Sequence, residues 1–132
     1  MTRAALLCCL LLVACVQSDE LRRADEAVTA FHAAMQRRAF GEIYATASPE
    51  MQAALAESAF LTFMQAVSAK LGAHLGSELK EHRIDPRASM TLVSLAYVTR
   101  FEKGPAAEKF VFKLAGDRVA LVSYDIRSPL FD

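Results

Sequence analysis

Residues 90–104, MTLVSLAYVTRFEKG, then 106–117, AAEKFVFKLAGD, and 118–126, RVALVSYDI, decide the fold. Successive side chains of a strand point to opposite faces, so a half-buried strand alternates with period two. In the first run Thr91, Val93, Leu95, Tyr97, Thr99 and Phe101 carry the bulk. Met90, Leu92, Ser94, Ala96, Val98 and Arg100 form a smaller, still mostly apolar face. That strand is expected to be central, with both faces at least partly covered. In the second run Glu108, Phe110, Phe112 and Leu114 oppose Ala107, Lys109, Val111 and Lys113; in the third, Val119, Leu121, Ser123 and Asp125 oppose Ala120, Val122, Tyr124 and Ile126. Lys103-Gly104-Pro105 and Gly116-Asp117 supply turn signals, with glycine available for positive φ. The expected unit is a three-stranded antiparallel meander.

What precedes the meander reads as helix. Leu21, Ala24, Val28, Phe31 and Met35 share one helical face. Ser18 is placed to cap that helix, Asp19 and Glu20 suit its positive end, and Arg37 and Arg38 its negative end. Phe40-Gly41 is read as the break. A short helix over 42–47 turns Ile43 and Tyr44 inward. Ser48-Pro49-Glu50 starts another, to about Glu57, with proline at the first helical position. Ser58 is expected to cap a helix with the stripe Phe60, Phe63, Met64, Val67 and Leu71, ending at Gly72. Phe63 and Phe110 are both expected in the core. Residues 73–77 read as a loop and 79–84 as an edge strand, stopped by Asp85-Pro86. Helices first and a contiguous antiparallel sheet afterwards predict α+β: N-terminal helices packed on a curved antiparallel sheet.

The N-terminus carries a different signal. Arg3 precedes AALLCCLLLVA, residues 4–14, an apolar run too short to span a bilayer, which needs about twenty residues. It reads as the core of a secretory signal. It closes on Leu12-Val13-Ala14-Cys15, which resembles a bacterial lipobox. That resemblance implies cleavage between Ala14 and Cys15 and lipidation of Cys15, with palmitate among the acyl groups. The organisation is then a signal peptide over 1–14, the lipidated cysteine and tether over 15–18, and one α+β domain over 19–132. The membrane is a partner through the anchor. Val16 after the cysteine points to the outer membrane, with the domain facing the periplasm of the cell envelope. At up to about 3.6 Å per residue, Val16, Gln17 and Ser18 reach only some 10 Å.

Composition narrows the function. Among 132 residues, 15 Lys+Arg balance 15 Asp+Glu, without the basic excess of a nucleic-acid binder. The three cysteines, Cys8, Cys9 and Cys15, all precede the domain, which therefore has no disulfide framework, thiolate metal site or cysteine nucleophile. His32, His74 and His82 are widely spaced, with no two-histidine metal motif; they read as a helix-flank, a loop and an edge-strand residue. Ser58 and Ser123 lack a Gly-x-Ser-x-Gly context. The pairs Arg22-Arg23 and Arg37-Arg38 read as solvated helix face, and Asp125 and Arg127 as solvent-facing.

Glu108 shares a face with Phe110 and Phe112. Two readings stay open: a carboxyl with raised pKa acting as acid or base, or a strand-end residue in water or paired with Arg100 or Arg118. Tyr44, Tyr97, Glu108 and Tyr124 are the candidate pocket residues; the alternative for the tyrosines is core packing with hydroxyls at the rim. No catalytic residue, metal ligand or cofactor is assigned.

Phe40-Gly41-Glu42-Ile43-Tyr44, Leu71-Gly72, Tyr97-Val98-Thr99-Arg100-Phe101, Glu108-Lys109-Phe110 and Tyr124-Asp125-Ile126 together resemble a family of small secreted bacterial proteins. The resemblance implies the cystatin-like or nuclear-transport-factor-two-like cone, a helical layer in a curved sheet, and it transfers no catalytic residue. The leading expectation is an envelope lipoprotein whose domain binds an envelope protein or a small ligand, or serves as an accessory subunit. One alternative is a cone-fold enzyme using a pocket carboxylate or histidine for proton transfer; the other is a structural homodimer. The lipobox reading predicts that Cys15→Ala abolishes acyl labelling and detergent partitioning; acyl incorporation persisting in that variant contradicts it.

Overall fold

The computed structural model describes residues 18–132; the apolar leader and the Ala14–Cys15 cleavage site lie outside them. Four helices come first: α1 (Asp19–Gln36), α2 (Phe40–Ala45), α3 (Pro49–Ala54) and α4 (Glu57–Leu71). Four strands follow: β1 (His74–Pro86), β2 (Thr91–Phe101), β3 (Gly104–Ala115) and β4 (Arg118–Arg127), with a terminal 3-10 turn at Pro129–Phe131. The strands pair antiparallel in chain order, so β1 and β4 are edges and β2 and β3 are central. The fold is α+β, with the N-terminal helices packed on a four-stranded antiparallel meander.

Local chemistry fixes several boundaries. Ser18 Oγ accepts from the Leu21 amide, and Ser48 Oγ accepts from the Met51 amide with Pro49 at the first helical position. Gly72 ends α4 at φ 74°, and Gly116 opens the β3–β4 turn at φ 61°. The helix break differs from expectation: Gly41 is helical within α2, and Arg38 takes the left-handed conformation at φ 58°. Two bonds close that turn, from the Arg38 amide to the Met35 carbonyl and from the Ala39 amide to the Ala34 carbonyl. The third helix stops at Ala54, and α4 starts one residue before Ser58, with Ala56 as its uncapped lead residue. The β2–β3 turn is Glu102-Lys103, so Gly104 and Pro105 already belong to β3.

The core lies between α1 and the inner sheet face. On α1 the expected Leu21, Ala24, Val28, Phe31 and Met35 are buried. On the sheet Val93, Leu95, Tyr97, Thr99 and Phe101 of β2 and Glu108, Phe110, Phe112 and Leu114 of β3 are buried. Phe110 is its aromatic centre, edge-on to Phe31 at 5.1 Å and tilted against Tyr124 at 5.0 Å.

Three irregularities move residues between faces. The expected loop over 73–77 is largely the start of β1, whose pairing skips Leu75 and then Lys80. Leu79 before the second skip, and His82 and Ile84 after it, lie opposite the inward residues Tyr97, Leu95 and Val93. In β4 the pairing skips Val122, which puts Leu121 opposite Phe112 and Tyr124 opposite Phe110. A bulge adds one residue to one strand and reverses the alternation beyond it. Strict period two had put Tyr124 opposite Leu121; both face the helices.

Phe63 is the other correction. It is 40% exposed, while Phe60, Met64, Val67 and Leu71 are buried. The covered line on α4 is narrow because this helix packs beside α2 and the terminal 3-10 turn rather than across the sheet. Phe110→Ala is therefore expected to cost about 3–5 kcal/mol, and Phe63→Ala about 1 kcal/mol or less. Urea midpoints displaced equally in the two variants would contradict this packing.

Candidate functional site

The chemistry gathers where α1 crosses β1, β2 and β3. Tyr97 and Thr99 of β2 and Glu108 of β3 sit on the buried face because strict alternation holds through both central strands. Tyr124 joins them because of the Val122 bulge. His32 comes from α1, next to Phe31 and seven residues after Asp25, so Asp25 and His32 lie two turns apart on one helical face.

Glu108 is 1% exposed. Its Oε1 accepts from His32 Nε2 at 2.8 Å and from the Thr99 hydroxyl at 2.5 Å, and its Oε2 accepts from the Tyr124 hydroxyl at 2.6 Å. Neither Arg100 nor Arg118 is a partner. Burial by itself pushes the Glu108 carboxyl up, but the donors from His32, Thr99 and Tyr124 outweigh it and hold it below the usual carboxylate range. Burial first and then the Glu108 charge keep Tyr124 protonated well above the ordinary tyrosine range. Tyr97 is pushed up likewise by burial and by Asp25, whose Oδ1 accepts from its hydroxyl at 2.5 Å.

A second line of contacts leads outward. Thr99 Oγ1 lies 2.9 Å from Ser77 Oγ, and Ser77 Oγ lies 2.9 Å from His74 Nε2. The His74 ring stacks on His32, with centroids 4.0 Å apart and planes 21° from parallel. Burial and then the neighbouring His32 push His74 below the ordinary histidine value, against a smaller opposing pull from Glu108. Gln36 donates to the His74 carbonyl, which ties β1 to the end of α1.

These groups border a cleft of about 360 Å³ between α1 and β1–β2, with Asp25, His32, His74, Ser77 and Tyr97 on its walls. Two larger hollows are less chemical. One of about 420 Å³ beside α2 has Phe31, Phe112 and Leu121 in its walls; one of about 660 Å³ at the 3-10 turn is bordered by Val98, Ile126 and Phe131. Among the described residues no group of three or more His, Cys, Asp or Glu is placed to hold a metal ion.

Of the four candidate pocket residues, three come together: Glu108 bonds Tyr124, and Tyr97 is the cross-strand partner of Glu108. Tyr44 stands apart; its hydroxyl donates to the Gln52 and Leu55 carbonyls and fastens α2 to α3. His32 is not a helix-flank residue but is buried against Glu108, and His74 is not in a loop but opens β1. Asp25, Ser77 and Thr99 join the site although no sequence motif marks them. A threonine between Tyr97 and Phe101 in the bulky row of β2, diagonal to an inward glutamate, was the available signal. Cys15 and Ala14 lie outside the described residues.

No protein-family model matches the chain, and no curated protein matches it in sequence. Among solved structures it is similar to Bdellovibrio bacteriovorus Bd1075, with TM-score 0.54 and 10% identity. The match covers 83% of this chain and 41% of that one, so the chain spans less than half of Bd1075. The likeness is one of fold.

The network predicts a pH response. A carboxyl held below its ordinary 4.5 contributes stability that is present above that value and lost as pH falls through the folded value. The lowered His74 value acts in the same direction, starting below its ordinary 6.5, where the unfolded chain binds the proton more readily. Glu108→Gln should cost about 1.5–3 kcal/mol at neutral pH. Its stability deficit should shrink as pH drops below 4.5, as read by urea denaturation across that range. A deficit independent of pH would contradict the charged state of Glu108.

Proposed function

We propose that this chain is an envelope lipoprotein, anchored through Cys15, whose α+β domain binds a small polar ligand in the α1–β1 cleft. The observation that carries the binding reading is the convergence of Asp25, His32, His74, Ser77 and Tyr97 on one cleft. Binding sites are concave and fixed by a few convergent polar groups, and clustered ionisable side chains with shifted pKa mark such sites. The Leu12-Val13-Ala14-Cys15 sequence supports the anchor, and the three-residue tether supports a domain held close to the outer-membrane surface on its periplasmic side. Acyl chains at about 0.8 kcal/mol per buried methylene anchor firmly when there is more than one. We read the architecture as a cystatin-like or nuclear-transport-factor-two-like cone. A long helix laid across an antiparallel sheet that is bulged in both edge strands supports that reading.

Ala33 is exposed on the cleft wall, so a large side chain there fills the cleft from its open side. In a small-molecule thermal-shift screen, a ligand at a hundred times its Kd stabilises by about 2.7 kcal/mol. At about 4–8 °C per kcal/mol for a domain of this size, that is a rise in Tm of roughly 10–20 °C. Ala33→Trp should keep the ligand-free Tm and abolish the rise. Protection that survives in Ala33→Trp would move the site elsewhere.

A further inference from the structure

We propose that His32 is a general base that removes a proton from a small neutral or cationic carbon acid held in the cleft, with Glu108 as its positioning residue. The inference rests on the cleft being the ligand site.

The directions of the hydrogen bonds carry it. An ionised carboxylate only accepts, so His32 Nε2, the Thr99 hydroxyl and the Tyr124 hydroxyl all donate to Glu108. Thr99 has one proton and commits it to Glu108, so the Ser77 hydroxyl donates to Thr99. Ser77 has then committed its own proton, so His74 donates from Nε2 to Ser77. Every donor in the chain ends on one buried carboxylate, which fixes the tautomer of both imidazoles. Each Nε2 carries a proton, so in the neutral ring the lone pair sits on Nδ1.

His32 Nδ1 has no hydrogen-bond partner among the described residues, and His32 borders the cleft. A carboxylate that holds one imidazole nitrogen leaves the other as a proton acceptor, and it stabilises the imidazolium formed when that acceptor is used. The stacked His74 ring stays neutral, which avoids two adjacent cations. The ionisable groups facing His32 are therefore few: Asp25 from its own helix, His74 from β1, Tyr97 from β2, Glu108 from β3 and, through Glu108, Tyr124 from β4.

The cleft also selects the substrate class. Among the described residues its walls hold no lysine or arginine, while Asp25 lies on one wall and Glu108 beneath His32. An anion is therefore disfavoured and a neutral or cationic molecule accepted. No cationic side chain is there to hold an enolate, and the Gln36 amide is committed to the His74 carbonyl. The chemistry that fits is an elimination. His32 Nδ1 forms a bond to the proton as the substrate C–H breaks. That electron pair becomes a new π bond, and the departing group leaves with its own pair. Imidazolium then returns the proton to water.

The test uses 5-nitrobenzisoxazole, whose ring opens on loss of one C–H proton with cleavage of its N–O bond, giving a coloured cyanophenolate. The full acylated chain in detergent should open it above the buffer rate. His32→Gln should lower that rate by about a hundredfold or more, within the range of general-base contributions. Glu108→Gln should lower the rate and move the midpoint of its pH profile to lower pH, and Glu108→Asp should restore part of both. His82→Gln, exposed on the edge strand, should change neither. Nitrogen-15 spectra of the wild type, which need no variant to fold, should show His32 protonated at Nε2 and bare at Nδ1; the opposite tautomer overturns the inference. Probe that shifts the His32 and His74 ring resonances without His32-dependent turnover overturns the base and leaves the ligand site standing. Neither resonance shift nor turnover overturns both.

Discussion

Glu108 is a carboxylate placed where water cannot reach it. Removing an ion from water costs several kcal/mol in a real protein, and only close donors offset that cost. Three are supplied, from α1, β2 and β4, while the carboxylate itself belongs to β3. The rest of the arrangement follows from this demand. The helix must lie across the sheet at a height that brings His32 to within hydrogen-bonding distance. The last strand must turn Tyr124 inward, and the second must keep Thr99 in phase with Tyr97. Apolar burial of Phe31, Phe110 and Phe112 gives the core its bulk, but it does not by itself say which rotation of α1 is correct. A displaced helix would leave a buried charge without its partner, so the electrostatic demand selects one packing from several that are equally oily.

The bulge at Val122 is part of the same demand. Without the extra residue, the inward face of β4 would continue from Leu121 through Ser123 to Asp125. A second acid would then approach Glu108, and Oε2 would lose its phenol donor. With it, Ser123 and Asp125 face solvent and Tyr124 and Ile126 face in. One unpaired residue thus exchanges a repulsive neighbour for an attractive one.

Much of this was legible in the sequence where the signal was local. The meander, the apolar row on α1 and the serine caps before Leu21 and before Pro49 all follow from residue spacing and short-range hydrogen bonds. What escaped depended on contacts distant in the chain. The alternation of β1 and β4 was read without their bulges, because an extra residue is visible only against the partner strand. Phe63 fits a helical stripe as well as Met64 does, and only the narrow seat of α4 separates them. Ser58 is a fit capping residue, yet the chain enters α4 at Ala56 without one. Arg38 lies in a conformation that usually goes to glycine, held there by backbone bonds to Met35 and Ala34. His32 was least legible, since nothing within ten residues of it reveals a glutamate seventy-six positions later.

The irregular outline of β1 has a consequence for life among other proteins at high concentration. An edge strand of 13 residues offers a row of unpaired amides and carbonyls to any passing strand. Here the skipped residues Leu75 and Lys80 break that row twice, and Glu78, Lys80, Glu81 and Arg83 clothe it in exposed charges of both signs. At the opposite edge the Leu121 carbonyl is already occupied by the Ser48 amide. A second copy would meet a ladder interrupted twice at β1, and at β4 one whose Leu121 carbonyl is already used. Kinks and charges of this kind are the features by which natural sheets blunt edge-to-edge pairing.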